Sequence, residues 1–295
     1  MHEYLIGVDG GGTGTRVRVE RPDATEVGKG SAGPSGLMHG AEKAWASVLE
    51  AVDRAFAEAG LARPELARMA IGLGLAGVHN KQWAANFAER NPGFGKVMVE
   101  TDAFCTLLGA HAGKPGAIIA IGTGSVGEAL LPDGSRIEVG GWGFPCGDEA
   151  SGAWLGLQAI NHVERTLDGR RPASDFSRAV MAASGGDRDG MFKWLAVANQ
   201  TTYAQMAPLV IQFAGQDEWA KSFMVQAGKD IAEVAIALDP EARHPIALCG
   251  GLAAPMRDYL PEKLRARVVK PRSDAAAGAL QLIRQSLRGN HAHPA

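Results

Sequence analysis

The chain has few cysteines, no long apolar run and almost no net charge. Its three cysteines, Cys105, Cys146 and Cys249, stand far apart with no CxxC pair among them. That excludes the usual zinc and iron–sulfur spacings, and the odd count fits a reducing compartment. No apolar stretch is long enough to cross a bilayer, and no charged-then-apolar leader precedes the first strand-like segment; a cytoplasmic protein is expected. The formal net charge is -2 over 295 residues, so no basic field points to nucleic acid or an anionic membrane. With 46% hydrophobic and 21% charged residues, the composition is that of a globular chain of one large or two ordinary domains.

Glycine, by contrast, is abundant and clustered. The segment YLIGVDGGGTGTRVRVE (4–20) carries an apolar strand, an acid, a turn rich in glycine and threonine, and a second strand. Residues 116–131, GAIIAIGTGSVGEALL, repeat that pattern, and HPIALCGGLAAP (244–255) is a third strand opening into glycines. Glycine is costly to order, so three such turns after three apolar strands call for a reason. Backbone amides in a glycine turn can converge on an anion with no Cβ in the way, and Thr13, Thr15, Thr123 and Ser125 add hydroxyls. There is no GxxxxGK motif followed by Ser or Thr. GGGTGT precedes a strand, whereas a dinucleotide fingerprint opens a helix. Phosphates, if bound, sit on β-hairpins.

The remaining pattern alternates strands and helices. ATEVGKGSA reads as a third strand, and apolar residues at Trp45, Val48, Leu49, Val52 and Phe56 predict a helix over about 39–59. RMAIGLGLAG (68–77) reads as a strand weakened by glycine, and KQWAANFAER as a helix. GKVMVETD is a strand ending at Asp102, followed by a helix from Ala103. Residues 150–238 read as mostly helical, RVVKP as a short strand, and SDAAAGALQLIRQSLR as a closing helix. Ser273 is the expected N-cap of that helix, with Asp274 in its first turn. GNHAHPA is expected to fray. The repeated hairpin suggests an internal duplication, and strands alternating with helices in two units predict α/β architecture with mixed sheets. The cleft between two such units is the default ligand site.

Three acids stand beside the glycine turns. Asp9 is placed to anchor Mg²⁺ or to cap its turn. Asp102 is a candidate base or a plain N-cap. Asp148 in CGDEAS begins a helical run with Glu149.

Taken in order, GVDGGGTGTRVRV, VETDAFCTLLGA, AIIAIGTGSVGEAL, GGWGFPCGDEASGAWLG, IALCGGLA and SDAAAGAL resemble the sugar-kinase, heat-shock-70 and actin superfamily. Within it they are most similar to the N-acetylglucosamine and glucosamine kinases of the BadF/BadG/BcrA/BcrD ATPase family. The resemblance implies an α/β, ribonuclease-H-like (actin-like ATPase) fold of two domains, with duplicated mixed sheets flanked by helices around a nucleotide cleft. The expected domains are 1–113, with the closing helix 273–288 packing back onto it, and 114–272.

The resemblance also implies transfer of the ATP γ-phosphoryl group to the 6-hydroxyl of an amino sugar. Asp102 would be the catalytic base and Asp9 the Mg²⁺ anchor. Gly11, Gly12, Thr13, Gly14 and Thr15 would form the first phosphate turn, and Gly122, Thr123, Gly124 and Ser125 the second. Gly250 and Gly251 would lie by the adenosine. Ser35, Asp102, Thr123, Gly141, Gly143 and Asp148 would meet the sugar. Some members have Asn where this chain has Ser35, which leaves the acceptor open between N-acetylglucosamine, glucosamine and another hexose derivative. A homodimer is implied.

Trp142 stands open between stacking on a sugar face and packing a hinge. His39 and His79 read as incidental, Cys105 and Cys249 as buried small hydrophobes, and Cys146 as an exposed residue of the sugar loop. The alternatives are an ATPase that energises an iron–sulfur dehydratase or reductase, a catalytically silent sugar sensor, and a zinc-containing repressor–kinase. They are opposed in turn by the absence of clustered cysteines, of room for a helix-turn-helix, and of a His/Cys cluster.

Overall fold

A computed structural model of the chain describes residues 2–289. Residues 1 and 290–295, which include most of the tail expected to fray, lie outside the described residues. The chain divides into two compact units, one built from Met1–Pro115 with Pro271–Ala295 and the other from Gly116–Lys270.

In the first unit the elements are β1 (Tyr4–Gly10), β2 (Thr15–Glu20), β3 (Glu26–Ala32), α1 (Ala41–Glu58), β4 (Met69–Leu75), α2 (Lys81–Glu89), β5 (Lys96–Thr101) and α3 (Asp102–His111). The second unit contains β6 (Gly116–Ile121), β7 (Ser125–Leu130), β8 (Arg136–Gly140), α4 (Gly152–Leu167), α5 (Asp175–Ala183), α6 (Arg188–Leu195), α7 (Gln200–Ala204), α8 (Ala207–Phe213), α9 (Glu218–Leu238), β9 (Ile246–Cys249), α10 (Ala253–Met256), α11 (Glu262–Arg265) and β10 (Val268–Val269). The chain then returns to the first unit as α12 (Ala275–Leu287).

Both sheets have five strands, in the orders β3-β2-β1-β4-β5 and β10-β9-β6-β7-β8. In each, two antiparallel pairings join the first three strands, and two parallel pairings extend the sheet beyond the first strand. The second sheet therefore repeats the topology of the first, which is the ribonuclease-H-like duplication. Strand β8, absent from the sequence reading, completes the second sheet. Its five residues are all partly or fully exposed, so it lacks the apolar run that marks a buried strand.

Local physics explains these elements. In β2 the alternation Val17, Val19 buries one face while Arg16 points out. Helix α1 buries Ala44, Trp45, Val48, Ala51, Val52, Ala55 and Phe56, the spacing of one helical face. Glycines inside the strands mark close helix approach. A methyl at Gly7 would lie 2.0 Å from the Ala276 carbonyl of α12, and one at Gly72 would lie 2.2 Å from that of Ala279. Gly7 of β1 and Gly72 of β4 therefore admit the closing helix α12.

Two helix starts differ from expectation. Asp274, rather than Ser273, caps α12, accepting the Ala277 amide at 3.0 Å. Helix α4 starts at Gly152 with Ser151 as cap, so Asp148 lies in the preceding loop with φ of 61°. Each unit has its own core, one around Ile6, Val48, Phe56 and Leu73, the other around Ile119, Leu155, Phe176 and Ile231. Among the described residues no helix is long and apolar enough to cross a membrane.

Candidate active site

The chemistry-bearing residues fall into two groups, one in each unit. In the first, the turn between β1 and β2 is closed by the Gly11 amide donating to the Gly14 carbonyl at 2.9 Å. The carbonyls of Gly10 and Gly11 accept from Ala76 and Gly36, at 2.9 and 3.0 Å. Gly12 and Thr13 stand exposed at the tip, and their amides and that of Gly14 have no partner among the described residues. None of these glycines has positive φ. A Cβ at Gly12 would meet nothing within 4 Å, and one at Gly11 or Gly14 would meet only a carbonyl at 3.9 or 3.7 Å. Neither backbone conformation nor packing requires glycine there. What the missing side chains leave is room against bare amides, the cradle an anion needs.

The second unit repeats this. The Gly122 amide donates to Gly124 at 2.9 Å, Thr123 is exposed, and a Cβ at Gly122 would meet nothing within 4 Å. The hydroxyls divide alike in both turns. Among the described residues the Thr13 and Thr123 hydroxyls have no partner. Thr15 Oγ1 donates to the Gly33 carbonyl at 2.6 Å, and Ser125 Oγ donates to that of Glu149 at 2.6 Å. Thr15 and Ser125 thus anchor their hairpins through their side chains. Gly250, with φ of 88°, and Gly251 follow β9, whose Cys249 pairs with Ala120 just before the second turn. A Cβ at Gly251 would meet nothing within 4 Å.

The acids of the first unit sit at the carboxyl ends of β1 and β5, the strands on either side of β4, the usual place for a ligand in α/β sheets. Asp9 pairs in register with Gly74, and Gly74 with Glu100, one residue before Thr101. Asp102 is the first residue of α3, and Thr101 is its cap, accepting the Phe104 amide at 3.0 Å. The Asp102 carboxylate accepts the amide of Ala103 at 3.0 Å. Burial pushes its pKa above the ordinary carboxylate value, opposed by that amide and by the His79 charge. Asp9 is also raised, chiefly by burial and further by Asp102 and Asp274, while Arg16 lowers it. The Arg16 guanidinium lies 3.5 Å from the Asp9 carboxylate.

Ser35 is fully buried. Its hydroxyl lies 2.7 Å from Thr15 Oγ1, in space that a side chain at Gly10 would need.

In the second unit, Asp148 is only 4% exposed. Its Oδ1 accepts the Ser125 amide at 3.2 Å and its Oδ2 the Gln200 side-chain amide at 2.6 Å. A Cβ at Gly124 would lie 2.8 Å from that carboxylate, so the glycine admits the acid beneath the second turn. Burial raises the Asp148 pKa, the Ser125 amide lowers it, and Glu149 raises it. The positive φ of Asp148 and of Ala150 at 64° is the backbone strain that collects at functional loops. Gly141 and Gly143 flank an exposed Trp142 in the same loop. Among the described residues no cluster of three or more His, Cys, Asp or Glu is placed to hold a metal. Cys105 and Cys249 are buried and Cys146 exposed, and burial pushes the Cys249 thiol up to about 12.

Several contributors escaped the sequence reading. His39 Nε2 lies 3.3 Å from the Gly12 carbonyl, and the His79 charge lowers the pKa of Asp102. Thr101, Gly74, Arg16 and Gln200 belong with them. Only Thr101 carried a local signal, a hydroxyl directly before the helix.

The BadF/BadG/BcrA/BcrD ATPase family matches residues 6–282. The chain is 37% identical over 279 residues to glucosamine kinase GspK of Vibrio cholerae, covering 94% of each. It is 23% identical over 275 residues to the N-acetyl-D-glucosamine kinase of Dictyostelium discoideum, covering 84% of this chain and 85% of that one. A solved structure from Chromobacterium violaceum, provisionally named an N-acetylglucosamine kinase, superposes with a TM-score of 0.94 at 50% identity, covering 96% of this chain and 99% of that one. With the duplicated sheets and paired glycine turns in place, the chain belongs to the BadF/BadG/BcrA/BcrD ATPase family.

Proposed function

We propose that this chain is an ATP-dependent kinase that transfers the γ-phosphoryl group to the 6-hydroxyl of an amino sugar, glucosamine or N-acetylglucosamine. The observation that carries the reading is Asp102: a half-buried carboxylate at the carboxyl end of β5, with Thr101 rather than its own side chain as the helix cap. The names of the relatives supply the acceptor class.

Phosphoryl transfer depends mainly on positioning and charge neutralisation. The amides of Gly12, Thr13 and Gly14, and those of Thr123 and Gly124, would take phosphate oxygens, with the Thr13 and Thr123 hydroxyls beside them. Gly250 and Gly251 would leave room for the adenosine. Asp102 would accept the proton of the 6-hydroxyl as that oxygen bonds to the γ-phosphorus and the bond to the β–γ bridging oxygen breaks. ADP then leaves, and the Asp102 proton passes to water. Asp148 keeps acceptor capacity, since a carboxylate has about four acceptor sites; with the backbone at Gly141 and Gly143 it would meet the sugar hydroxyls. Ser35 is fully buried and its hydroxyl pairs with Thr15, so we assign Ser35 to support of the hairpin.

Nucleotide-bound Mg²⁺ takes one or two protein carboxylates rather than a full cage. Asp9 fits that need, with a single cationic neighbour at 3.5 Å. The ion would supply neutralisation of phosphate charge. The reading also places the protein in the cytoplasm as a homodimer, which light scattering at working concentration would check.

A panel of hexoses and hexosamines in a coupled ADP-release assay tests the activity. Release that depends on an amino sugar supports it; equal release with and without every sugar refutes it.

A further inference from the structure

Helix α7 has only 5 residues, yet its place is fixed. Asn199 and Thr202 form a capping box at its start, with the Asn199 side chain accepting the Thr202 amide at 3.2 Å. That box sets the backbone at Gln200, the first helical residue. Two glycines of α4 let α7 approach closely. A Cβ at Gly156 would collide with the Tyr203 carbonyl, and one at Gly152 would lie 3.2 Å from the Ala204 Cβ. A side chain at the start of a helix held this tightly is aimed by its backbone.

Helix α7 grips the segment before α4 at two points. The Tyr203 ring packs on that of Phe144, with centroids 5.1 Å apart. The Gln200 side-chain amide donates to Asp148 Oδ2 at 2.6 Å. Asp148 is buried, and a buried carboxylate needs donors to remain charged. Two come from the backbone, the Ser125 amide on Oδ1 and the Phe144 amide, while Glu149 is the charged neighbour that opposes ionisation. Gln200 is the donor that comes from a side chain. The outer torsion of an aspartate is broad, so its carboxylate plane turns unless both oxygens are held. Ser125 holds one and Gln200 the other. An amide does this without neutralising the charge, as a lysine or arginine would, and so leaves the carboxylate a strong acceptor.

We infer that Gln200 is a positioning residue for the reaction: from α7 it locks the rotation of the Asp148 carboxylate, so that the remaining acceptor sites of that group keep one direction. This rests on the amino-sugar kinase reading, in which Asp148 accepts from the substrate. Gln200 itself touches no reacting atom, and its effect passes entirely through Asp148.

The test compares the full-length wild type with Gln200→Met and Gln200→Glu. Steady-state kinetics for glucosamine, N-acetylglucosamine and ATP are measured from about pH 6 to about pH 8.5, with thermal melting alongside. Met keeps the length of Gln and removes the donor. Glu is a second carboxylate when ionised and a hydroxyl donor when protonated, and beside Asp148 the pair holds a proton to higher pH than an isolated carboxylate would. The expected result for Gln200→Met is a sugar KM raised roughly tenfold at every pH, as for a lost hydrogen bond to a charged group, with the ATP KM within twofold of wild type. For Gln200→Glu the same loss is expected at the alkaline end, with the sugar KM returning toward that of wild type at the same pH as the solution is acidified. Lower melting temperatures in both variants with no acid recovery in Gln200→Glu would make Gln200 a structural residue and overturn the positioning role. A sugar KM within twofold of wild type in Gln200→Met, while sugar-dependent ADP release persists, also overturns it and leaves the kinase reading standing. A wild type with no sugar-dependent release overturns both.

Discussion

Thr101 relieves Asp102 of the capping role that an acid at a helix start ordinarily fills. The Thr101 hydroxyl takes the Phe104 amide at 3.0 Å, while the Asp102 carboxylate is held from one side by the adjacent Ala103 amide. Asp102→Asn should therefore fold normally and bind both substrates with little change in KM. Turnover should fall about 10²–10⁴-fold, the usual cost of removing a general base. Near-normal turnover would take Asp102 out of that role. The complementary change, Thr101→Ala, should cost about 1 kcal/mol of stability through loss of the cap, read as a lower unfolding midpoint.

If Asp102 is the base, its electrostatics set the acid side of the pH profile. Burial raises its pKa, and His79 pulls it back down. A base must be unprotonated to act, so the acid limb of kcat/KM should lie above the ordinary Asp value of about 3.9. Removing the opposing charge in His79→Gln should move that limb to still higher pH. An unchanged or lower limb would show that Asp102 is not the group titrating.

Two glycines separate ligand space from packing. Gly12→Ala places its methyl in the open, at a φ that alanine tolerates. Stability should stay the same or rise by about 0.4–1 kcal/mol, while the ATP KM should rise severalfold as the methyl enters the anion cradle. Gly74→Ala places its methyl 2.6 Å from the Cys105 Cβ and 3.4 Å from the Asp102 Cα. It should cost about 1–3 kcal/mol by overpacking and lower kcat with it. If Gly12→Ala left the ATP KM untouched, the first turn would not be a phosphate site.

The contrast between these glycines shows how far the sequence could be read. Gly10–Thr15 and Gly122–Ser125 were legible because a glycine turn after an apolar strand is a local pattern, and the duplicated topology followed from its repeat. Gly72 and Gly74 looked like weak points in a strand, and Gly7 carried no signal. Their reason is the approach of α12 and α3, an event distant in sequence. The choice between base and plain N-cap at Asp102 stayed open in the sequence, because Thr and Asp are both good caps and only geometry gives the cap to Thr101. Asp274 took the cap expected of Ser273 for the same reason. The pairing of the Ser35 hydroxyl with Thr15 was not legible, since that partner stands twenty residues away. His39 and Gln200 carry no motif; each matters through one contact, to Gly12 and to Asp148 respectively.

His162 predicts an acid weakness in the second unit. It is fully buried, Arg171 donates to its Nδ1 at 2.8 Å, and its Nε2 has no partner among the described residues. The ring packs against Phe176, Trp219 and Phe223. Its pKa is pushed below 6.5 by burial and by Arg171 and Arg165, with Asp217 opposing. The unfolded chain therefore takes up this proton first. The stabilising contribution is complete above the unfolded pKa of about 6.5 and is lost as pH falls through it. Melting temperature should drop between pH 7 and 5 in the wild type and drop less in His162→Phe. Parallel curves for the two proteins would remove His162 as the cause.

The most direct test identifies the oxygen that receives phosphate. Glucosamine and N-acetylglucosamine are incubated with ATP, Mg²⁺ and the enzyme, and the product is examined by ¹H–³¹P correlation NMR. The account predicts a product phosphorus coupled to the two protons on carbon 6, absent when Asp102→Asn replaces the wild type at equal concentration and time. Coupling to the anomeric proton, or ADP formed with no phosphorylated sugar, would contradict it.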